Sequence, residues 1–152
     1  MALQETVSLY AEGVRIKWPN DLTADGAKLA GILLERQLNA VIVGFGVNLA
    51  HQPALPGRAV TCLRTLAGTA PEPATFAETL AEIFARWLAR WRTEGHASIL
   101  DAWRAAAHPK GTPLSTNEGD GLFDGLDESG ALRLRLADGG IHVIHAGDVF
   151  LI

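Results

Sequence analysis

The chain has 152 residues, a formal charge of −4 and a hydrophobic fraction of 48%, enough for one ordinary domain or a medium domain with a small one attached. No apolar run is long enough to cross a bilayer, no basic patch or helix-turn-helix segment suits nucleic acid, and nothing at the N-terminus reads as a secretory leader, so a cytoplasmic protein with no membrane partner is expected. Cys62 is the single cysteine, which excludes an internal disulfide and a paired-cysteine zinc site and leaves a small buried hydrophobe as the expected use.

Residues 2 to 12 predict a short helix, with Leu3, Val7, Tyr10 and Ala11 on one stripe and Gly13 as its stop. Three extended segments joined by two tight turns follow. Val14, Ile16 and Trp18 alternate with Arg15 and Lys17 as in a half-buried strand. Pro19 has no amide to donate, and Asn20 and Asp21 favour turns, so the strand is expected to end there. Asp25-Gly26 signals a hairpin, because those types tolerate positive φ. A second strand is expected from Ala27 to Arg36, then a polar break near Gln37 to Asn39, then a third strand from Ala40 to Asn48. In that third strand Val41, Val43, Phe45, Val47 and Leu49 share one face, and Gly44, Gly46 and Asn48 the other. Two glycines weaken a strand. Either something must approach the backbone closely, or a helix packs there. Gly44-x-Gly46 is not a dinucleotide fingerprint, since the third glycine is missing and Pro53 and Pro56 stand where a helix should open.

Prolines and glycines make residues 50 to 73 irregular, with one helical turn around Cys62 to Leu66. Thr75 and Glu78 form a capping-box pattern. Behind it Phe76, Leu80, Ile83, Phe84, Trp87, Leu88 and Trp91 repeat at helical spacing to about Glu94, a stripe expected in the core. A second helix is expected from Ala97 to Ala107, ahead of Pro109. Beyond it Leu132, Leu134 and Leu136 alternate with Arg133 and Arg135, Asp138-Gly139-Gly140 makes a turn, and Ile141, Val143 and Val149 to Ile152 complete a β-rich unit. Residues 114 to 121 look short for a strand pair. A unit of roughly 40 residues needs packing on the rest of the chain to be stable. The five histidines have no metal-ligand spacing.

Three motifs stand in order within the first third: Lys17-Trp18-Pro19-Asn20-Asp21, Lys28-Leu29-Ala30-Gly31-Ile32-Leu33-Leu34-Glu35, and Gly44-Phe45-Gly46-Val47-Asn48. Together they resemble biotin protein ligase, also called biotin–[acetyl-CoA-carboxylase] ligase. The C-terminal stretches Gly125-Leu126-Asp127, Gly130-Ala131-Leu132 and His145-Ala146-Gly147-Asp148-Val149 resemble that family's SH3-like barrel. The resemblance implies an α+β fold: a mixed or antiparallel sheet packed with helices over 1–108, like a truncated class II aminoacyl-tRNA synthetase, then a small SH3-like β-barrel over 109–152.

The resemblance implies a two-step acyl transfer in which biotin and ATP, with Mg²⁺, form biotinyl-adenylate and the biotinyl group passes to a lysine of a biotin carboxyl carrier domain of acetyl-CoA carboxylase or a related carboxylase. Lys28 matches the lysine that contacts the biotin carboxylate and the adenylate phosphate, and Asp21 joins it as a catalytic candidate. Gly31, Gly44 and Gly46 match the lining of the biotin pocket. Lys17, Asn20, Asp21, Val47 and Asn48 match the nucleotide side, with Asp21 as a candidate Mg²⁺ ligand. Lys28 and Gly31 have opposite parity in an unbroken strand, so a shared ligand requires a bulge or a strand start between them. The family's glycine- and arginine-rich loop has no counterpart here, so the sequence resembles the C-terminal part of a ligase. The alternative reading is a non-catalytic ligand-binding or assembly module, with an exposed sheet edge that could pair with a second copy.

Overall fold

The computed structural model describes residues 1–152. Helix α1 (Ala2–Ser8) precedes an antiparallel sheet in the order β1 (Arg15–Lys17), β2 (Asp21–Ala24), β3 (Ala27–Gln37) and β4 (Ala40–Val47). Helices α2 (Leu63–Ala67), α3 (Pro73–Glu94) and α4 (His96–Ala106) follow. A second antiparallel sheet is built from β5 (Pro113–Thr116), β6 (Gly119–Leu126), β7 (Leu132–Arg135), β8 (Ile141–Ile144) and β9 (Val149–Leu151), ordered β8-β7-β6-β5-β9.

The alternation read in the sequence sets the layers. Ile16, Leu22, Leu29 and Ala30 turn to one side of the first sheet and bury against Leu3 and Val7 of α1 and Phe76, Leu80 and Ile83 of α3. Phe45 of β4 meets Phe84 edge-on, ring centres 6.1 Å apart, a favourable aromatic geometry. The opposite side of the sheet, with the β4 glycines, carries no helix. The second sheet encloses Leu114, Phe123, Leu132, Leu134, Ile144 and Val149, and Trp18, Leu100 and Ala107 from outside it complete that core. The Trp18 indole donates to Gly130 O at 3.1 Å, and Ala107 pairs with Ile16 in a parallel bridge. The small C-terminal unit therefore leans on the first sheet through a shared tryptophan.

Several expectations are corrected. The first sheet has four strands, not three: the turn spans Trp18 to Asn20, and Asp21, expected in it, already pairs with Gly31 as the first residue of β2. Helix α1 stops at Ser8, although Tyr10 and Ala11 still donate back to Val7 O. Thr75 and Glu78 do not cap α3; it begins at Pro73 after Glu72, because proline's fixed φ suits a first helical position, where its missing amide costs nothing. The aromatic stripe of α3 outruns the core, and Trp91 is 52% exposed. Residues 114 to 121 do form a strand pair, β5 against β6, with Thr116 opposite Gly119 across a tight turn. The Asp25-Gly26 hairpin stands as expected, both residues at positive φ (49° and 76°).

Candidate active site

The helix-free face of the first sheet is the floor of a cleft of about 580 Å³ whose lining includes Lys17, Asn20, Asp21, Lys28, Gly31, Gly44 and Gly46, with Arg58 and residues 148–150 of the second unit on its far side. Its geometry rests on one irregularity. Between β2 and β3 the register runs Leu22 to Ala30 and then Thr23 to Lys28. Leu29 is the extra residue, and it turns into the core, fully buried. Such a bulge resets side-chain parity. Lys28 and Gly31, out of phase in a regular strand, thereby face the same side.

Lys28 Nζ lies 2.6 Å from Asp21 Oδ1, and Lys17 Nζ lies 3.1 Å from Asp21 Oδ2. The Asp21 carboxylate is only 12% exposed and Lys28 is 38% exposed. A carboxylate held between two ammonium groups fixes the orientation of both, and the trio presents one more basic than acidic side chain to the cleft. Gly31 sits beneath them: a Cβ there would lie 3.1 Å from Lys28 Nζ and 3.2 Å from Asp21 Oδ1. Gly31 pairs with Gly46, and Leu33 with Gly44, so the three glycines form one floor free of side chains. No packed helix requires it. A Cβ at Gly44 would meet nothing nearer than 3.7 Å, and one at Gly46 nothing nearer than 3.8 Å. The space above them is the cleft itself.

Main-chain bonds hold the charged residues in place. Lys28 N donates to Ala59 O and its carbonyl accepts from Thr61 N, both at 2.9 Å. Ile32 N donates to Asn20 O at 2.9 Å, and the Asn20 amide donates back to Ile32 O. Lys17 Nζ also donates to Val149 O at 2.6 Å, tying the cluster to β9. Behind it Thr23 Oγ1 and His108 Nε2 are 2.8 Å apart. Burial, then the charges of Arg15 and Lys17, push the His108 imidazole below its ordinary range.

The structure brings together Lys17, Asn20, Asp21, Lys28, Gly31, Gly44 and Gly46, and leaves out the side chains of Val47 and Asn48. Val47 belongs to the opposite face, in an apolar groove with Phe45, Leu49, Phe76, Leu80 and Phe84. Asn48 is a staple: its N donates to Leu29 O, its carbonyl accepts from Leu63 N, and its amide donates to Thr61 O. Arg58 and Phe150 line the cleft and were not singled out in the sequence. An arginine in a proline- and glycine-rich loop carries no local signal, and β9 is remote in sequence from the other wall.

Asp21 does not suit a divalent cation. Each of its oxygens already accepts from an ammonium, and the two lysines repel a second positive ion. No three His, Cys, Asp or Glu side chains gather here or elsewhere to hold a metal.

A model described as the biotin/lipoate A/B protein ligase family matches residues 5–49, and one described as the biotin protein ligase C-terminal domain matches residues 116–152. The chain is 43% identical to biotin–[acetyl-CoA-carboxylase] ligase of Paracoccus denitrificans over 99% of its own length and 69% of that protein's. It is 32% identical to the bifunctional ligase/repressor of Bacillus subtilis over 90% of its length, and spans 46% of that protein. Among solved structures, biotin protein ligase from Aquifex aeolicus in complex with biotin and ATP superposes with a TM-score of 0.85 at 21% identity, over 99% of this chain and 68% of that one. At that identity the likeness is one of fold. No helix is long and apolar enough to cross a membrane.

Proposed function

This chain belongs to the biotin protein ligase family, a family of enzymes, and from that premise we propose that it forms the lysine-bearing half of a site that makes biotinyl-adenylate and passes biotin to a carrier lysine. One observation carries the reading: the Lys28 ammonium, paired with Asp21, stands over Gly31 in the cleft whose floor is Gly44 and Gly46.

In the first step a biotin carboxylate oxygen attacks the α-phosphorus of ATP, the bond to the bridging oxygen breaks, and its electron pair leaves on pyrophosphate. Two anions must meet. Lys28 bridges the carboxylate and the α-phosphate, lowering their repulsion and stabilising charge that grows in the transition state. Gly31, Gly44 and Gly46 let the biotinyl chain lie against the backbone. In the second step a carrier lysine amine attacks the acyl carbon and AMP departs. Asp21 is a positioning residue: it fixes Lys28 and Lys17, and its carboxylate is the group available to orient the incoming amine. Asn20 and Lys17 face the nucleotide. An adenine contact by Val47 or Asn48 would have to run through the main chain. Mg²⁺ would be held chiefly by the polyphosphate, as is usual for this ion.

The substrate class follows the names of the relatives, and the acceptor would be a biotin carboxyl carrier domain of acetyl-CoA carboxylase or a related carboxylase. On this reading the five-stranded second sheet would be the family's SH3-like barrel and the first sheet with its helices a part of its class II synthetase-like fold, which the antiparallel order of both sheets supports. A second reading, an assembly module that pairs with another copy, has its own support: Leu33, Leu34, Leu38, Val41 and Ile42 at the far end of the β3–β4 hairpin are all exposed, more apolar surface than a lone hairpin tip should show.

The test is to incubate the chain with biotin, ATP, Mg²⁺ and a carrier domain, with and without a separately supplied glycine- and arginine-rich segment from a relative. Biotinylated carrier that disappears in Lys28→Ala supports the ligase. No transfer in either mixture, with concentration-dependent dimerisation, supports the module.

A further inference from the structure

A second recess of about 200 Å³ opens off the cleft beside Lys28, between the first sheet, the 51–60 loop and β9. Its charged lining is Lys17, Lys28 and Arg58 against the single carboxylate Asp21. Both lysines are engaged with that carboxylate. Arg58 is not: its side chain makes no ion pair or hydrogen bond, and its guanidinium lies over the Phe150 ring, 5.4 Å from the centroid. All its N–H donors are unspent.

Arg58 is nonetheless held. The chain just after it runs parallel to the start of β3, with Ala59 O and Thr61 N bonded to Lys28, so Arg58 is registered against the lysine the proposed chemistry needs. Its head rests on Phe150, while the neighbouring Val149 carbonyl accepts from Lys17. Consecutive residues of β9 thus station two of the three cations. An aromatic face steadies a guanidinium without consuming its donors, and a planar fork of donors matches phosphate oxygens. Asp148 lines the larger cleft but not this recess, so the positive excess is greater here.

We infer that this recess is the pyrophosphate subsite, with Arg58 as its phosphate-binding cation, clamped in place by Phe150. The inference rests on the ligase reading, since it takes Lys28 as the α-phosphate contact. When the α-phosphorus–oxygen bond breaks, the electron pair moves onto pyrophosphate, and Arg58 faces the group that gains the charge. It reads the β- and γ-phosphates and is indifferent to AMP.

Calorimetric titrations of the 152-residue chain with inorganic pyrophosphate, ATP, AMP and a non-hydrolysable biotinyl-adenylate mimic test this. Arg58→Ala should weaken pyrophosphate and ATP by about 10-fold or more, the scale of a charge-assisted contact, and change AMP and the mimic less than about twofold. Phe150→Leu keeps the charge but frees it, and should cost pyrophosphate about 2–5-fold. If Arg58→Ala leaves pyrophosphate unchanged, or weakens AMP and the mimic equally, the subsite is refuted while the ligase reading stands. If the unaltered chain binds neither the mimic nor any nucleotide, both fall.

Discussion

Glycines in the two sheets separate a residue kept for packing from residues kept for a ligand. At Gly121 in the second sheet a Cβ would sit 2.7 Å from Arg135 O and 2.8 Å from Leu134 Cγ. Neither neighbour can yield, because Leu134 is fully buried and the carbonyl belongs to the adjoining strand. At Gly44 and Gly46 in the first sheet the same atom would make only ordinary contacts, at 3.7 and 3.8 Å. The fold demands glycine at 121 and merely permits it at 44 and 46. A residue type the fold does not need, repeated along one face and beside an ammonium–carboxylate cluster, points to something outside the chain that must come close.

Four experiments press on this contrast. The largest effect should follow Lys28→Ala: the half-exposed side chain adds little to folding, so the melting temperature should hold while adenylate formation, in the presence of whatever segment completes the site, falls about 10²–10³-fold. Asp21→Ala should act on both counts, leaving two ammonium groups close together without their carboxylate. A stability loss of about 3 kcal/mol by urea unfolding is expected, and an unchanged midpoint would show the lysines can relax apart. Gly121→Ala should cost about 1–3 kcal/mol through overpacking, whereas Gly46→Ala should melt at or above the parent temperature, because alanine loses less chain entropy than glycine on folding. Equal destabilisation by the two would erase the distinction between the sheets.

The smallest effect concerns pH. His108 is held below its ordinary range, first by burial and then by Arg15 and Lys17, so between the folded and unfolded values the unfolded chain binds the additional proton. Stability from this group is complete above about pH 6.5, the ordinary imidazole value, and is lost as pH falls below it. Thermal melts across pH 5–7 should show that decline, and it should flatten in His108→Gln.

Much of this was legible in the sequence because side-chain alternation reports local geometry. The β3–β4 hairpin, its bare face, the Asp25-Gly26 turn and the two long helices all follow from residue periodicity. The parity conflict between Lys28 and Gly31 called for a bulge or a strand start between them, and the structure has a bulge, at Leu29. Other features were hidden because their causes are not local. Asp21 resembles a turn residue until the strand it pairs with is known, and Thr75 with Glu78 imitates a cap that Pro73 pre-empts. Arg58 and Phe150, remote in sequence, meet only through the docking of the second sheet, which Trp18 and Lys17 fasten by bonds to Gly130 and Val149.

The account depends on a single ligand touching both the lysine and the glycine floor. Titrating a non-hydrolysable biotinyl-adenylate mimic into the parent chain, Lys28→Ala and Gly46→Val tests this most directly. The account predicts that the parent binds, that each substitution weakens binding by about 10-fold or more, and that neither lowers the melting temperature by more than a few degrees. Undiminished binding by both folded variants would contradict it.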